Sequence, residues 1–145
     1  MKKILVLLGP NLNMVGVREK GIYGEESAQS IDAQIKDYAE KCGFSADVFQ
    51  SNHEGDLIDK IHASKDSYAG VVINAGAYTH YSYAIRDAIE AVSDFTPFVE
   101  VHMSDIHKRE DFRKTSVITD VCIKQICGYG KDSYKMAIDL LCEEL

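Results

Sequence analysis

The sequence predicts an α/β fold: five parallel strands in one sheet, with helices on both faces. Three observations carry this. Short, nearly all-apolar runs recur along the 145 residues, as buried parallel strands require. Segments with apolar residues at helical spacing separate them. Several of the runs end in polar, glycine-bearing loops, where ligands bind in open α/β sheets.

The first strand is the run Ile4-Leu5-Val6-Leu7-Leu8. A long polar loop follows, reading Gly-Pro-Asn-Leu-Asn-Met-Val-Gly-Val-Arg-Glu-Lys-Gly-Ile-Tyr-Gly over residues 9–24. Loops of this length inside compact domains serve as lids or binding loops, or are disordered. Ser27 then suits a helix N-cap, Ile31, Ile35, Tyr38, Ala39 and Cys42 form one apolar face, and Gly43 is a natural stop. Residues 44–50 read as the second strand. Ser51 and Glu54 have capping-box spacing and would open a helix carrying Leu57, Ile58 and Ile61. Residues 70–75 form the third strand, followed by a loop over 76–79 and a helix with Ala84, Ile85, Ala88, Ile89 and Val92 inward. Residues 97–102 make the fourth strand. A polar, irregular stretch over 103–120 carries a helical turn at 110–114, and residues 121–127 are the fifth strand. After the Gly128-Tyr129-Gly130 turn, Asp132 or Ser133 would cap a final helix running to Leu145. Strand–helix alternation implies right-handed crossovers. For this length the expected result is a flavodoxin-like three-layer sandwich with strand order 2-1-3-4-5.

The chain is long enough for one domain, 1–145, with a real core. Hydrophobic residues make up 46 % and charged residues 27 %, as in ordinary soluble proteins. No apolar run approaches a membrane span. The Met1-Lys2-Lys3-Ile4 start superficially mimics a signal peptide, but the apolar run is too short and leads straight into the fold. A cytoplasmic protein without a membrane partner is expected. The formal charge of −7, from 16 basic and 23 acidic residues, argues against a general nucleic-acid surface. An anionic small substrate stays compatible, since a few local arginines decide that. Cys42, Cys122, Cys127 and Cys142 form no C-x-x-C pair and read as buried free thiols.

Three strand ends carry unusual polar content. The first leads into Asn11, Arg18 and Tyr23; the third ends in Asn74, followed by Gly76 and His80. The fourth reads Val99-Glu100-Val101-His102-Met103-Ser104. Strand side chains alternate faces, so Glu100, His102 and Ser104 share one face, opposite the apolar residues. A doubly covered sheet has little use for such a face unless those groups are satisfied or working. In the expected order, strands 1, 3 and 4 are neighbours and their ends converge on one crevice. Taken singly, each residue has an ordinary reading. Tyr23 suits packing, Asn74 a turn, and Arg109 and Arg113 a solvated charged run. His53, His62 and His107 keep such readings. Co-location at strand ends is what distinguishes the others.

Other chemistries find little support. The loop over 9–16 is neither a dinucleotide nor a P-loop fingerprint. Glu100-x-His102 lacks a third ligand at metal spacing, and no serine sits in a nucleophile elbow. A flavodoxin-like binding or signalling module is the alternative from another class. Its response-regulator form would want aspartates where Asn11 and Asn74 stand.

The motifs Gly9-Pro10-Asn11-Leu12-Asn13, Gly16-x-Arg18-Glu19, Tyr23-Gly24, Asn74-x-Gly76-Ala77-x-Thr79-His80, Val99-Glu100-Val101-His102-x-Ser104, Arg109-Glu110-x-Phe112-Arg113 and Gly128-Tyr129-Gly130 together resemble type II 3-dehydroquinate dehydratase. The similarity runs through essentially the whole chain in order. It implies dehydration of 3-dehydroquinate to 3-dehydroshikimate by anti elimination through an enolate, in the shikimate pathway of aromatic amino acid biosynthesis, without metal or cofactor. It also implies a homo-oligomer, typically a dodecamer of four trimers. By resemblance, Tyr23 is the base, Arg18 the lid arginine that favours its phenolate, and His102 the group that assists loss of the hydroxyl. Glu100 orients His102, and Asn11 holds a water near the enolate oxygen. Asn74, His80, Met103 (through its backbone), Ser104 and Arg113 match substrate-holding positions. Asp87 matches a residue that reaches a neighbouring subunit's site, and Arg109 a lid-side basic residue. Family lids commonly carry a proline shortly after the Arg-Glu pair, where this chain has Gly21.

The chemistry of these residue types agrees. A free phenol has a pKa of about 10 and is a poor base near neutrality, but an adjacent, permanently charged guanidinium favours the phenolate. A histidine passes protons near neutrality, and a carboxylate beside it fixes its tautomer.

Overall fold

A computed structural model describes residues 1–17, 21 and 26–145 of the chain. Arg18 and Tyr23 lie outside the described residues. Strand β1 (Lys2–Leu8) lies at the middle of the sheet. It pairs in parallel with β2 (Phe44–Gln50) on one side and β3 (Gly70–Asn74) on the other. Strands β4 (Phe98–His102) and β5 (Lys124–Cys127) continue from β3, giving the order 2-1-3-4-5. The expected flavodoxin-like architecture is therefore present.

The period of two in β1 divides the core. Ile4, Val6 and Leu8 face helices α1 (Ala28–Lys41) and α4 (Asp132–Glu144), packing with Ile31, Ile35, Ala39, Ile138 and Leu141. Leu5 and Leu7 face α2 (Glu54–Ser67) and α3 (Tyr83–Val92), packing with Leu57, Ile61, Ile85 and Ile89. Each fully buried aliphatic side chain of this kind contributes roughly 1.5–3 kcal/mol of transfer free energy. Ser27 caps α1 by accepting from the Ser30 N–H at 3.1 Å, and Gly43 follows that helix at φ 87°. Ser82 caps α3 in the same way, through the Ile85 N–H at 3.0 Å.

Several local expectations are corrected. Ser51 and Glu54 do not form a capping box, because the N-cap of α2 is His53. The Ser51 hydroxyl accepts from the His53 N–H and donates to Asp56, while Glu54 accepts from Ser82 at 2.5 Å. Neither Asp132 nor Ser133 caps α4: it begins after Lys131, and Ser133 Oγ accepts from the Tyr129 N–H. Ala84 faces solvent rather than the core. Strand β5 starts at Lys124, since Thr119–Val121 form a 3-10 turn. The cysteines are free as expected, but Cys142 is exposed and the other three are only half-buried.

Two glycines bring the ends of β1 and β3 into backbone contact. The Gly9 N–H donates to the Asn74 carbonyl at 2.8 Å, and a Cβ on Gly9 would lie 2.4 Å from the Ala75 carbonyl oxygen. Gly76 sits at φ 61° with its Cβ position 3.0 Å from the Pro10 carbonyl oxygen. A side chain at either place would push the two loops apart. They form adjoining walls of a cleft at the carboxyl edge of the sheet.

Candidate active site

The cleft is lined by Pro10, Asn11 and Leu12 from the β1 end and by Asn74, Gly76, Ala77 and His80 from the β3 end. His102, Met103 and Ser104 from the β4 end, with Ile106, Arg109 and Arg113 beyond, line it as well among the described residues. The structure thus gathers the candidates from three separate strand ends. Glu100 lies buried at 0 % exposure behind His102. Asp87 is exposed on α3 and does not line its own chain's cleft.

Each polar wall residue is held by a specific partner. Asn11 adopts the left-handed conformation at φ 68°, and its N–H donates to Asn52 Oδ1 at 3.0 Å. Gln50 Nε2 donates to the same Asn52 oxygen at 3.1 Å and to the Gly9 carbonyl at 3.1 Å. These two residues at the β2 end therefore brace the loop that carries Asn11. Asn74 Nδ2 donates to the hydroxyl of buried Tyr134 at 3.0 Å, and Asn74 Oδ1 accepts from the Gly76 N–H. The carboxamide orientation follows from those two contacts. The Met103 side chain packs in the α1/α4 core, and the residue also lines the cleft.

The two histidines are oriented from behind. His80 Nδ1–H donates to the Thr115 carbonyl at 2.8 Å, which leaves Nε2 as the other ring atom for a ligand. Burial, together with the nearby His102 and Arg113, pulls the His80 pKa down, so its neutral form is favoured. The His80 and His102 rings stack with centroids 6.4 Å apart, and Phe112 meets His80 edge-on at 6.1 Å. His102 Nε2–H donates to Glu100 Oε2 at 2.5 Å, so Nδ1 is the remaining ring nitrogen.

Arg113 Nε donates to Glu110 at 2.5 Å, and its guanidinium lies 4.7 Å from the Phe112 ring centroid. Arg109 Nη1 donates to Ser104 Oγ at 3.5 Å. A protein of net charge −7 thus brings two arginines and two histidines to one cleft with a serine and two carboxamides. That set suits a small anion carrying hydroxyl groups.

Glu100 accepts four hydrogen bonds. Besides His102, they come from Thr119 Oγ1 at 2.5 Å, Ser116 Oγ at 2.8 Å and Gln125 Nε2 at 3.2 Å. Burial alone would push its pKa up. The bonds from His102, Thr119 and Ser116, together with the nearby imidazole charge, outweigh burial and hold it below its ordinary value of 4.5. A carboxylate with a depressed folded value adds stability above the unfolded value, and that stability is lost as pH falls through the folded one. Wild type should therefore lose urea resistance more steeply than Glu100→Gln as pH drops below about 4.5. Parallel curves for the two proteins would show that the folded carboxyl titrates as in the unfolded chain.

One further cluster could attract a metal. Ligand atoms of Asp105, His107 and Cys127 lie within 4.8 Å of one another. Local hydrogen bonds account for them: Asp105 Oδ1 accepts from the His107 N–H and the Cys127 thiol, and His107 Nε2–H donates to Gln125. Burial pushes the Cys127 thiol pKa up, away from the thiolate that a metal needs.

Known proteins resolve the family. The family model described as "Dehydroquinase class II" matches residues 2–142. The chain belongs to this family. A Bacillus cereus (strain AH187) relative named 3-dehydroquinate dehydratase is 51 % identical to this class II dehydroquinase family member, over all of this chain and 98 % of the relative. The crystal structure of type II dehydroquinase from Butyrivibrio crossotus superposes with a TM-score of 0.94 at 50 % identity, covering 97 % of each chain. The Propionibacterium acnes type II dehydroquinase gives the same TM-score at 37 % identity, covering 99 % of this chain and 97 % of the other. The resemblance seen in the sequence motifs is thereby borne out.

Reading the dehydroquinase-family sequence alone did not reveal several supporting groups. Gln50 and Asn52 behind Asn11, Tyr134 behind Asn74, and Ser116, Thr119 and Gln125 around Glu100 carry no local signal. Their roles come from contacts between segments far apart in the chain.

Proposed function

We propose that this protein dehydrates 3-dehydroquinate to 3-dehydroshikimate, as a step of the shikimate pathway. The convergence of Asn74, His80, His102, Ser104 and Arg113 on one strand-end cleft carries this reading, in a chain belonging to the class II dehydroquinase family. The substrate is a small carboxylate bearing hydroxyl groups, and the residue types lining the cleft suit both kinds of group. Arg113 takes the carboxylate. Asn74, His80 and Ser104, with the Met103 backbone, hold hydroxyls. Arg109 adds positive charge on the lid side.

In the elimination, the Tyr23 phenolate removes a proton from the carbon beside the ketone, and the electron pair moves onto the ketone oxygen as an enolate. Arg18 favours the phenolate. A water held by Asn11 stabilises the oxyanion. The enolate then collapses, forming the conjugated double bond as the carbon–oxygen bond breaks. His102 gives a proton to the departing hydroxyl, which leaves as water. Glu100 keeps the imidazole oriented. No metal or cofactor enters this scheme.

The protein is proposed to act in the cytoplasm as a homo-oligomer, a dodecamer of four trimers, with Asp87 serving a neighbour's site. The exposed position of Asp87 on α3 supports that reading, beside the exposed Tyr81 and Tyr83. Among the described residues no helix is long and apolar enough to cross a membrane.

The test is the appearance of the enone absorbance when 3-dehydroquinate is added. Turnover unchanged by EDTA is the expected outcome. Absence of turnover by the folded protein would reject the reaction, and loss on chelation would reject the metal-free scheme.

A further inference from the structure

A buried carboxylate with four donors is more than a histidine partner. Two of the donors, Ser116 and Thr119, come from the segment between Arg113 and β5, and the third neutral one, Gln125, from β5 itself. Gln125 has no choice of orientation. The Glu100 carboxylate only accepts, so Gln125 Nε2 must face it, where it also donates to Thr119 Oγ1 at 3.1 Å, and Oε1 is left to accept from His107 Nε2–H at 3.1 Å. Thr119 consequently accepts from Gln125 and has its own hydroxyl proton directed at Glu100 Oε1. The Ser116 hydroxyl is fixed similarly, donating to Glu100 while accepting from the Ile118 N–H at 3.3 Å. Each of the three neutral donors is thus locked by a second contact.

We propose that Thr119, Ser116 and Gln125 are positioning residues for His102, caging Glu100 as a fixed, charged acceptor so that the imidazole keeps its Nε2–H on Glu100 and can carry on Nδ1 the second proton that it gives to the departing hydroxyl. The physical reason is the cost of an uncompensated buried charge. Neutral donors replace the water that an exposed carboxylate would have. With those donors gone, Glu100 gains by taking a proton itself, and the hydrogen bond to His102 Nε2 reverses direction. The ring is then a neutral imidazole, a far weaker proton donor toward the cleft than an imidazolium held by a charged carboxylate.

The other titratable groups near the pair do not supply this hold. Burial raises the pKa of the Cys122 and Cys127 thiols, keeping them uncharged. His80 is favoured neutral and is bound to Thr115. Arg113 is engaged by Glu110, and Asp120 pairs with Arg86 at 3.9 Å. His107 is exposed and reaches Glu100 only through Gln125.

The proposal rests on His102 acting in the elimination, and two measurements keep the two ideas separable. The first uses substrate-free protein with 15N-labelled histidine. In wild type, His102 Nε2 should remain protonated from about pH 6 to 9. In Ser116→Ala/Thr119→Val its signal should move toward the unprotonated position. The second is kinetic. Thr119→Val should lower kcat about tenfold, the scale of one lost hydrogen bond to a charged group, with KM within about twofold. Thr119→Ser, which keeps the hydroxyl, should recover most of the loss. Unchanged Nε2 protonation in the double variant would overturn the cage whatever the activity. So would a Thr119→Val enzyme of normal kcat, or equal losses in Thr119→Val and Thr119→Ser. If wild type does not turn over 3-dehydroquinate while the nitrogen signal still moves in the double variant, the reaction is wrong and the cage stands. Should the double variant not fold, the single Ser116→Ala protein gives the same nitrogen readout, with a smaller shift expected.

Discussion

Tyr23→Phe should abolish measurable turnover of 3-dehydroquinate, lowering kcat by about 10⁴-fold, the upper range for removal of a general base. The substitution takes away one oxygen and leaves the ring. Substrate-analogue affinity should therefore change by less than about tenfold. The expectation follows from the inventory of bases at the cleft. His80 Nδ1 is committed to Thr115, and His102 Nε2 is committed to Glu100. Glu100 is fully buried with four donors on it. Arginines cannot accept protons at any working pH. Removal of the phenol thus leaves no charged base among the described wall residues. Stopped-flow absorbance on the variant, with binding measured separately by calorimetry, distinguishes a lost base from a lost site. A kcat within tenfold of wild type would assign proton removal elsewhere, with His102 Nδ1 the first group to examine.

Gly9→Ala should be the most damaging single methyl in the described part of the molecule. The added carbon would meet the Ala75 carbonyl oxygen at 2.4 Å and its carbon at 2.5 Å, both backbone atoms directly after the paired Asn74 at the end of β3. No flexible side chain can move aside. Relief requires the β1 and β3 ends to separate, which strains the 2.8 Å bond from the Gly9 N–H to Asn74. Overpacking of this kind costs ~3 kcal/mol, and for a chain of this size that lowers Tm by about 10 °C. Because Asn11 and Asn74 sit on the two separated segments, KM should rise as well. Gly55→Ala provides the contrast, since its Cβ position is open and it lies within α2. Differential scanning calorimetry of both variants checks the expectation. Equal melting temperatures would mean that the two loops can part without cost.

The sheet was legible because its signal is local. Each strand is a short apolar run, and the alternation Glu100-Val101-His102-Met103-Ser104 states which side chains share a face. Gly43 and Ser27 marked the ends of α1 for equally local reasons. What escaped depends on partners that spacing cannot show. Ser51 and Glu54 have capping-box spacing, yet Asp56 and Ser82 claim those side chains. Residues 121–123 look like strand, but a 3-10 turn delays β5 to Lys124. The candidate cleft was readable as a set of strand-end residues, whereas the groups that orient them were not. Thr119 and Gln125 are ordinary in sequence and acquire meaning only beside Glu100. Arg18 and Tyr23 rest on chemistry and resemblance, since they lie outside the described residues.

The placement of β1 between β2 and β3 bears on how the molecule comes into being. β1 ends at Leu8, whereas β3, its neighbour on the cleft side, begins only at Gly70. A chain emerging from the ribosome must therefore hold its most apolar strand with one edge unpaired until two crossovers have been made. Pairings between distant segments carry a large loop-closure cost before they repay it, and they slow folding. The cleft cannot take shape earlier than this, because its walls are the ends of β1, β3 and β4. Binding competence is thus a late acquisition, and a nascent chain truncated before residue 98 would have neither wall nor catalyst on the β4 side. Hydrophobic β1 spends that interval as the segment in most need of protection from other chains.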